Sequence, residues 1–352
     1  MTQKGGVAIR SALACLLDGD ELGTDATAAA VEEIMSGGSS AALVGAFLAA
    51  LRVRGETVDQ IVGAARTMRA RADRVASRRE PLVDNCGTGG DGGRTFSIST
   101  AAALVAAAGG ASVAKHGNRA ASGKFGGADT LEALGVAIDL PADRVGRCID
   151  QVGIGFLFAR RLHPAMRHVG PVRTELGVRT IFNLLGPLTN PAGVRRQVVG
   201  VASKRDLERV AGALRILGVE HALVVHGRDG LDEISLAAPA DVVEIRGDSV
   251  RELVVDASTF GLPEAPPEAV HAETLEESVQ AVREVLDGAP GPRADVVAAN
   301  AGMVLHVAGR AESLAEGARL AGEAIASGGA RDVLRRLAEA TQAGHADASR
   351  GA

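Results

Sequence analysis

The sequence contains no tryptophan and no tyrosine, and aromatic residues make up only 2% of its 352 positions. Binding of single-stranded nucleic acid by aromatic stacking is therefore disfavoured. The chain also lacks the excess of basic residues that phosphate-backbone binders carry, with 38 Lys and Arg against 43 Asp and Glu and a net charge of −5. Any phosphate it holds is expected on a small molecule. Cysteine is scarce: Cys15, Cys86 and Cys148 lie far apart and form neither a CxxC pair nor a disulfide framework, so a reducing cytoplasm is the expected compartment. Cys86 lies beside a glycine-rich loop and invites a reading as a nucleophile. No flanking motif supports that, and a small residue packed at a strand end is the plainer reading. There is no uninterrupted apolar run of about 18 residues, so no membrane span is expected. The apolar run before Asp18 is too short for a signal peptide.

What is present is a soluble globular composition, 46% hydrophobic and 23% charged, in a chain long enough for two domains. Residues 8 to 75 alternate helical apolar spacing with strong punctuation. Ile9, Leu13 and Leu16 share a face that stops at Asp18-Gly19, and Val31, Ile34 and Met35 share another that stops at Gly37-Gly38. Ser39 or Ser40 can cap a third helix with Leu43, Phe47, Leu48 and Leu51 inward, and Thr57-Val58-Asp59-Gln60 is a capping-box pattern for a fourth. The basic run Arg66 to Arg79 is read as the solvated trailing face of that helix and a linker.

From Leu82 the pattern changes to short β-rich runs alternating with Ala-rich helices, the signature of βαβ units around a mostly parallel sheet. The runs at 82–83, 112–114, 154–158, 197–201 and 222–225 each end in polar or glycine residues. Ligands of open α/β sheets bind at the carboxyl ends of strands, so these ends should converge on one site. Residues 163–190 form a helical excursion that can pack back on the N-terminal helices and bring Arg173 to the cleft. The expected architecture is α/β: a helical domain, 1–76, joined by the excursion 163–190, and a larger domain, 77–352, around the sheet. After the run at 242–245 a proline-bearing loop leads to helices near 273–287, 293–306 and 313–342, and 343–352 reads as a frayed tail.

The densest chemistry lies between Asp84 and Gly135. Gly87-Thr88-Gly89-Gly90-Asp91-Gly92-Gly93 follows a strand and precedes a helix beginning near Ser97 to Ala101, an arrangement that offers backbone N–H groups and a helix N-terminus to a polyphosphate. It is neither a Walker A loop nor a dinucleotide fingerprint. Lys115-His116-Gly117-Asn118-Arg119 follows the next strand and is rich in anion donors, although His116 could be a structural imidazole. Asp232-Glu233 is either a carboxylate pair for Mg²⁺ or an ordinary acidic turn.

Taken together, these stretches resemble anthranilate phosphoribosyltransferase, an enzyme family of tryptophan biosynthesis. The resemblance rests on GTGGDG (87–92), SIST (97–100), KHGNR (115–119), GADTLEALG (127–135), the block HPAMRHV to LLGPLTNP (163–191) and GLDEIS (230–235). It implies a homodimer formed through the helical domain, for which Val31, Ile34, Leu43 and Phe47 offer apolar faces. It also implies transfer of phosphoribosyl from 5-phospho-α-D-ribose 1-diphosphate to anthranilate with Mg²⁺, and no nucleic-acid or membrane partner. By position, Gly87, Gly90, Asp91, Thr95, Ser97, Ile98, Ser99, Thr100, Lys115, His116, Gly117, Asn118, Arg119, Ala120, Ala121, Ser122, Gly123 and Gly127 would hold the diphosphate substrate. Gly87, Asn118, His163, Arg173, Gly186 and Pro187 would serve anthranilate, with His163 and the Gly186-Pro187 turn along its access path. Ser99, Asp232 and Glu233 would serve the metal, and Lys115, Asn118 and Arg173 carry the catalytic assignment. Three positions depart from the family pattern: Ser97 for a common Asn, Gly123 for a frequent Ser, and Phe125 for a small Ser. Rival readings are a pyrimidine-nucleoside phosphorylase, a phosphoribosyltransferase with another aromatic acceptor, and a catalytically silent relative.

Overall fold

The computed structural model describes residues 6–89, 95–120 and 125–343. Four helices come first: α1 (Val7–Leu17), α2 (Thr24–Met35), α3 (Ala41–Arg54) and α4 (Val58–Ala70). Local chemistry sets their starts. The Ser40 hydroxyl accepts from Leu43 N–H at the head of α3, and Thr57 and Gln60 form the reciprocal capping box of α4. There follow β1 (Leu82–Asn85), α5 (Ile98–Ala108), β2 (Ser112–Gly117), α6 (Gly127–Ala133), α7 (Ala142–Val152) and β3 (Ile154–Phe158). The helical excursion comprises α8 (Ala159–Leu162), a 3-10 turn (Pro164–His168), α9 (Gly170–Leu176) and α10 (Phe182–Leu185). The chain then runs through β4 (Arg196–Gly200), α11 (Lys204–Ile216), β5 (His221–Gly227), β6 (Ala240–Arg246) and β7 (Ser249–Val255). It closes with α12 (Leu275–Leu286), α13 (Pro292–Val307), α14 (Leu314–Ala326) and α15 (Gly329–Gln342).

The sheet has seven strands in the order β3-β2-β1-β4-β5-β6-β7. The first five are parallel, and β6 and β7 add an antiparallel edge. Side chains alternate across it, as a period of two requires. Val198, Leu223, Val225 and Val242 face one apolar cluster with α5 and α13, while Val199, Ala222, Val224, Val243 and Ile245 face a second. That second cluster contains Ile9, Ile34, Phe47, Leu51 and Ile61 from the N-terminal helices, Val169, Phe182 and Leu185 from the excursion, and Leu207 and Leu214 from α11. Burial on both faces explains why these strands read as continuous apolar runs.

Several local expectations are corrected. The segment Ser249–Val255, expected in a loop, forms β7, whose outward residues are largely exposed, so the polar edge disguised it. Residues 313–342 form two helices broken at Gly328, which has a φ of 74°. Val31, Ile34 and Phe47, offered as a dimer face, are instead buried inside the chain. The basic run is not simply solvated: Arg69 Nε donates to Leu188 O at 2.6 Å, Arg71 pairs with Glu32, and Arg78 and Arg79 bind around Asp150. No described helix is long and apolar enough to cross a membrane.

Helix α13 is seated by a glycine-to-glycine crossing with α14. A Cβ on Gly302 would lie 2.5 Å from Ala318 N, and one on Gly317 would lie 2.3 Å from Gly302 O. Small residues let the two backbones approach, and that approach fixes the helix whose inner face reaches the sheet. The Gly302→Ala substitution is expected to lower the unfolding free energy by about 1–3 kcal/mol through overpacking, measured by urea denaturation.

Candidate active site

The carboxyl ends of the five parallel strands converge as the sheet rules require. Asn85, Gly117, Gly200 and Val225 from β1, β2, β4 and β5 line a single cavity of about 360 Å³, together with Phe156 and Ala159 at the end of β3. Its size suits a small-molecule site, for which about 300–1,000 Å³ is usual. Around that floor stand Ser99 and Thr100 of α5, Asn118 and Arg119 after β2, Arg173 of α9, Gly186, and Asp232 and Glu233 after β5.

Asp84 anchors the floor. It is fully buried, and its two oxygens accept from His116 N–H at 3.0 Å and Asn190 Nδ2 at 2.8 Å. Burial raises its pKa to about 6 against the hydrogen bond from Asn190 and the charge of Lys115. Lys115 is itself 4% exposed and donates to Asn85 O at 3.0 Å. Burial lowers its pKa, while Cys86, Asp84, Glu233 and Asp232 pull the other way. Burial also pushes the Cys86 thiol far up, assisted by Asp84 and Asp232 and opposed by Lys115, which rules out a ready thiolate.

A chain of imidazoles backs the same wall. His116 Nδ1–H donates to Gly186 O at 2.9 Å, leaving its Nε2 as acceptor for His163 Nε2–H at 3.2 Å. The remaining His163 Nδ1 is buried without a partner. Burial lowers His116 to about 3 and His163 to about 4. His163 thus stands behind His116 and does not line the cavity. Nor does Pro187, whose carbonyl accepts from Gln197 Nε2 at 2.7 Å, or Ile98, which is fully buried in the core.

The remaining expected residues with described positions gather on the cavity: Gly87, Thr95, Ser97, Ser99, Thr100, Lys115, His116, Gly117, Asn118, Arg119, Ala120, Gly127, Arg173, Gly186, Asp232 and Glu233. Gly90, Asp91, Ala121, Ser122 and Gly123 lie outside the described residues. Helix α5 begins at Ile98, with no side-chain cap from Ser97; the Ser97 hydroxyl instead shares a 2.7 Å hydrogen bond with Thr130. Thr100 Oγ1 is buried without a partner. Arg119 is committed to Asp129 at 2.5 Å and Glu132 at 2.8 Å, so its charge turns away from the centre.

The acidic pair is built into the glycine loop. Asp232 Oδ2 accepts from Gly89 N–H at 2.9 Å, and Glu233 Oε1 accepts from Ser99 N–H at 2.8 Å at the first turn of α5. A Cβ at Gly87 would come 2.3 Å from Asp232 Oδ2, and one at Gly200 would come 1.8 Å from Asp232 O. Only glycine at both places admits the carboxylate. An all-oxygen donor set of Ser99, Asp232 and Glu233 fits a hard cation such as Mg²⁺.

Among the cavity residues not singled out from the sequence are Phe182, Asn183 and Arg179 on the excursion. Arg179 donates to Gly89 O at 2.6 Å and retains a buried, unpartnered NH2 group. Arg173 lies with its guanidinium carbon 5.8 Å from the centre of the Phe182 ring, half-buried, its pKa lowered by burial. The signal for Arg179 was an arginine two residues after the Gly177 that ends α9, in a block whose arginines were read only for Arg173.

This geometry has close relatives. A family described as "Glycosyl transferase family, a/b domain" matches residues 79–331, and one described as "Glycosyl transferase family, helical bundle domain" matches residues 10–72. The chain is 51% identical over 333 residues to the anthranilate phosphoribosyltransferase of Symbiobacterium thermophilum, covering 95% of this chain and 98% of that one. The chain belongs to the anthranilate phosphoribosyltransferase family. Its fold is similar to the crystal structure of the family member from Thermus thermophilus, with a TM-score of 0.89, 46% identity, and coverage of 95% of this chain and 99% of that one. It is also similar to the Saccharomyces cerevisiae family member in complex with PRPP and Mg, with a TM-score of 0.88, 27% identity, and coverage of 97% and 100%.

The imidazole chain carries a pH signature. An unfolded histidine takes up a proton near pH 6.5, whereas His163 resists one until about pH 4, so the unfolded chain binds more protons between those values and stability falls on acidification. His163→Gln is expected to make the fall in unfolding free energy from pH 6.5 to 4 shallower than in the wild type, as read from denaturation series across that window.

Proposed function

We propose that the protein transfers the phosphoribosyl group of 5-phospho-α-D-ribose 1-diphosphate to anthranilate, giving N-(5-phosphoribosyl)anthranilate and diphosphate, in tryptophan biosynthesis. The observation that carries this reading is the meeting, in one cavity, of a glycine loop, a carboxylate pair bound to that loop and to α5, and a half-buried arginine across from them. In the reaction the ribose C1–O bond to diphosphate breaks with its electron pair leaving on oxygen, the anthranilate nitrogen bonds C1, and the amine loses a proton.

Ser99, Asp232 and Glu233 would hold Mg²⁺, which supplies charge neutralisation to the leaving diphosphate when bound. The Gly87 backbone, the Thr100 hydroxyl and the Lys115 ammonium bind the diphosphate substrate and favour charge developing on its leaving oxygens. Arg173 pairs with the anthranilate carboxylate while Asn118 orients its amine, so the reaction gains from positioning. Arylamines are neutral at pH 7, and no covalent nucleophile is required. The unpartnered buried Thr100 Oγ1 and Arg179 NH2 support a cavity built around oxygen-rich ligands.

In the same reading, residues 1–76 with 163–190 form one domain and 77–352 the other, the chain works in the cytoplasm, and it dimerises through the N-terminal helices. The exposed Val7, Leu17 and Val53 on α1 and α3 supply apolar surface for that contact. A second reading, the same transfer to a different aromatic amine, is favoured by Phe125, a bulky side chain on the cavity where the family has a small one.

The deciding assay incubates the protein with phosphoribosyl diphosphate and Mg²⁺ and follows loss of anthranilate fluorescence beside a panel of other aromatic amines. Turnover of another amine without turnover of anthranilate overturns the first reading. Arg173→Ala is expected to raise the KM for anthranilate by about 10- to 100-fold, the worth of one charge-assisted pair, with the KM for the diphosphate substrate little changed. The Asp232→Ala/Glu233→Ala double variant should need much more Mg²⁺ for half-maximal rate, in a titration of activity against metal concentration.

A further inference from the structure

At the other end of the sheet from the cavity, three side chains meet that the transfer reaction does not use. His221 opens β5, Glu244 lies on the neighbouring β6, and His306 sits in the last turn of α13. His221 Nε2 is 2.9 Å from Glu244 Oε1, and His306 Nε2 is 3.6 Å from that same oxygen. One nitrogen or oxygen of each of the three lies within 4.8 Å of the others. We propose that His221, Glu244 and His306 form a structural binding site for a transition-metal dication of the Zn²⁺ class.

Four observations carry the assignment. First, His306 Nδ1–H donates to Ala311 O at 3.1 Å, because a carbonyl can only accept. In the neutral ring that bond leaves the Nε2 lone pair turned toward the Glu244 carboxylate oxygen, a pair of acceptors with a place for a cation between them. A backbone carbonyl on the far ring nitrogen is also the usual outer partner of a metal-bound histidine. Second, the spacing is right. Zn²⁺ bonds of about 2.0–2.2 Å in tetrahedral array place ligand atoms roughly 3.3–3.5 Å apart. The 3.6 Å contact already meets this, and the 2.9 Å contact opens by about half an ångström as the His221 proton moves to its Nδ1.

Third, the donors are the wrong ones for Mg²⁺ and the right ones for zinc-like ions, two imidazoles and one carboxylate. The carboxylate is oriented from behind: Arg251 donates to Glu244 Oε2 at 2.6 Å and leaves Oε1 for the site. Fourth, His221 and His306 border a hollow that gives a remaining coordination position access to water, with Glu244 buried behind them. Its wall sets Glu220, Glu312 and Glu316 against Arg196, Arg246 and Arg310, so no net positive charge repels a cation. The three ligands come from two strands and a helix, so an ion there would staple α13 to the antiparallel edge of the sheet. Val225, four residues along β5 from His221, lines the catalytic cavity, so the two sites are about 13 Å apart along the strand.

The test uses the full, tag-free chain in a large excess of Mg²⁺, so that the oxygen donors of the catalytic cavity are occupied. Equilibrium dialysis against Zn²⁺ with metal analysis should show one ion retained per chain, and Co²⁺ in its place should give the intense visible absorption of a low-coordinate, imidazole-ligated ion. His306→Gln and His221→Gln should each weaken retention by more than the about 10- to 100-fold that loss of an outer partner costs. Zn²⁺ should raise the thermal unfolding midpoint of the wild type and leave that of His306→Gln unmoved, while Mg²⁺-supported turnover of the variant stays at the wild-type level. Failure of the wild type to retain Zn²⁺, a Co²⁺ spectrum of six oxygen ligands, or undiminished retention by His306→Gln overturns the site and leaves the trio as a hydrogen-bond network.

Discussion

Asp84 has no contact with solvent, yet both its oxygens are occupied and its neighbours come from two stretches of chain remote from its own. His116 N–H belongs to β2, the Asn190 amide to the end of the excursion, and Lys115 lends its charge from the adjacent position. A buried carboxylate left without such partners costs several kcal/mol, about 3–5 when one member of a buried pair is removed. The penalty makes the arrangement cooperative. β1, β2 and the Thr189-Asn190 turn must assemble together, and once they have, the chain leading out of β2 is delivered to the cavity. Asn190 reinforces this by donating also to Ala114 O at 2.8 Å.

The same economy governs the acidic side of the site. Asp232 and Glu233 reach the glycine loop and the start of α5 because Gly87 and Gly200 carry no side chain. Negative charge there is balanced locally by backbone N–H groups and by the Lys115 ammonium. Arg173 and Arg179 of the excursion also line the cavity, Arg179 gripping the glycine loop at the Gly89 carbonyl, so an anionic ligand meets cationic or N–H character from both the sheet and the excursion. The excursion is consequently more than a connection. It packs its apolar side into the cluster of the N-terminal helices and turns its basic side to the cavity.

Much of this was legible in the chain because the relevant physics is local. Ser40, Thr57 and Gln60 announce helix starts, glycines announce stops, and strands buried on both faces announce themselves as apolar runs. The edge strand β7 was not legible, since a strand that is mostly exposed has no hydrophobic period to read. Arg119 looked like an anion donor beside Lys115 and is spent on Asp129 and Glu132. Val31, Ile34 and Phe47 looked like an available face and are core, because periodicity reports that a residue is buried without saying against what.

The sequence alone determined the helical start, the alternating β and α segments, the glycine loop and the residue types a phosphoribosyl chemistry needs, for each depends on neighbours within a few positions. Tertiary structure decided which of those residues face the cavity, why His163 stands behind His116 instead of on the wall, that Arg179 grips the Gly89 carbonyl, and that His221, Glu244 and His306 meet at all. Those outcomes turn on contacts between residues tens to more than a hundred positions apart, set by strand order and helix packing, which no local pattern encodes.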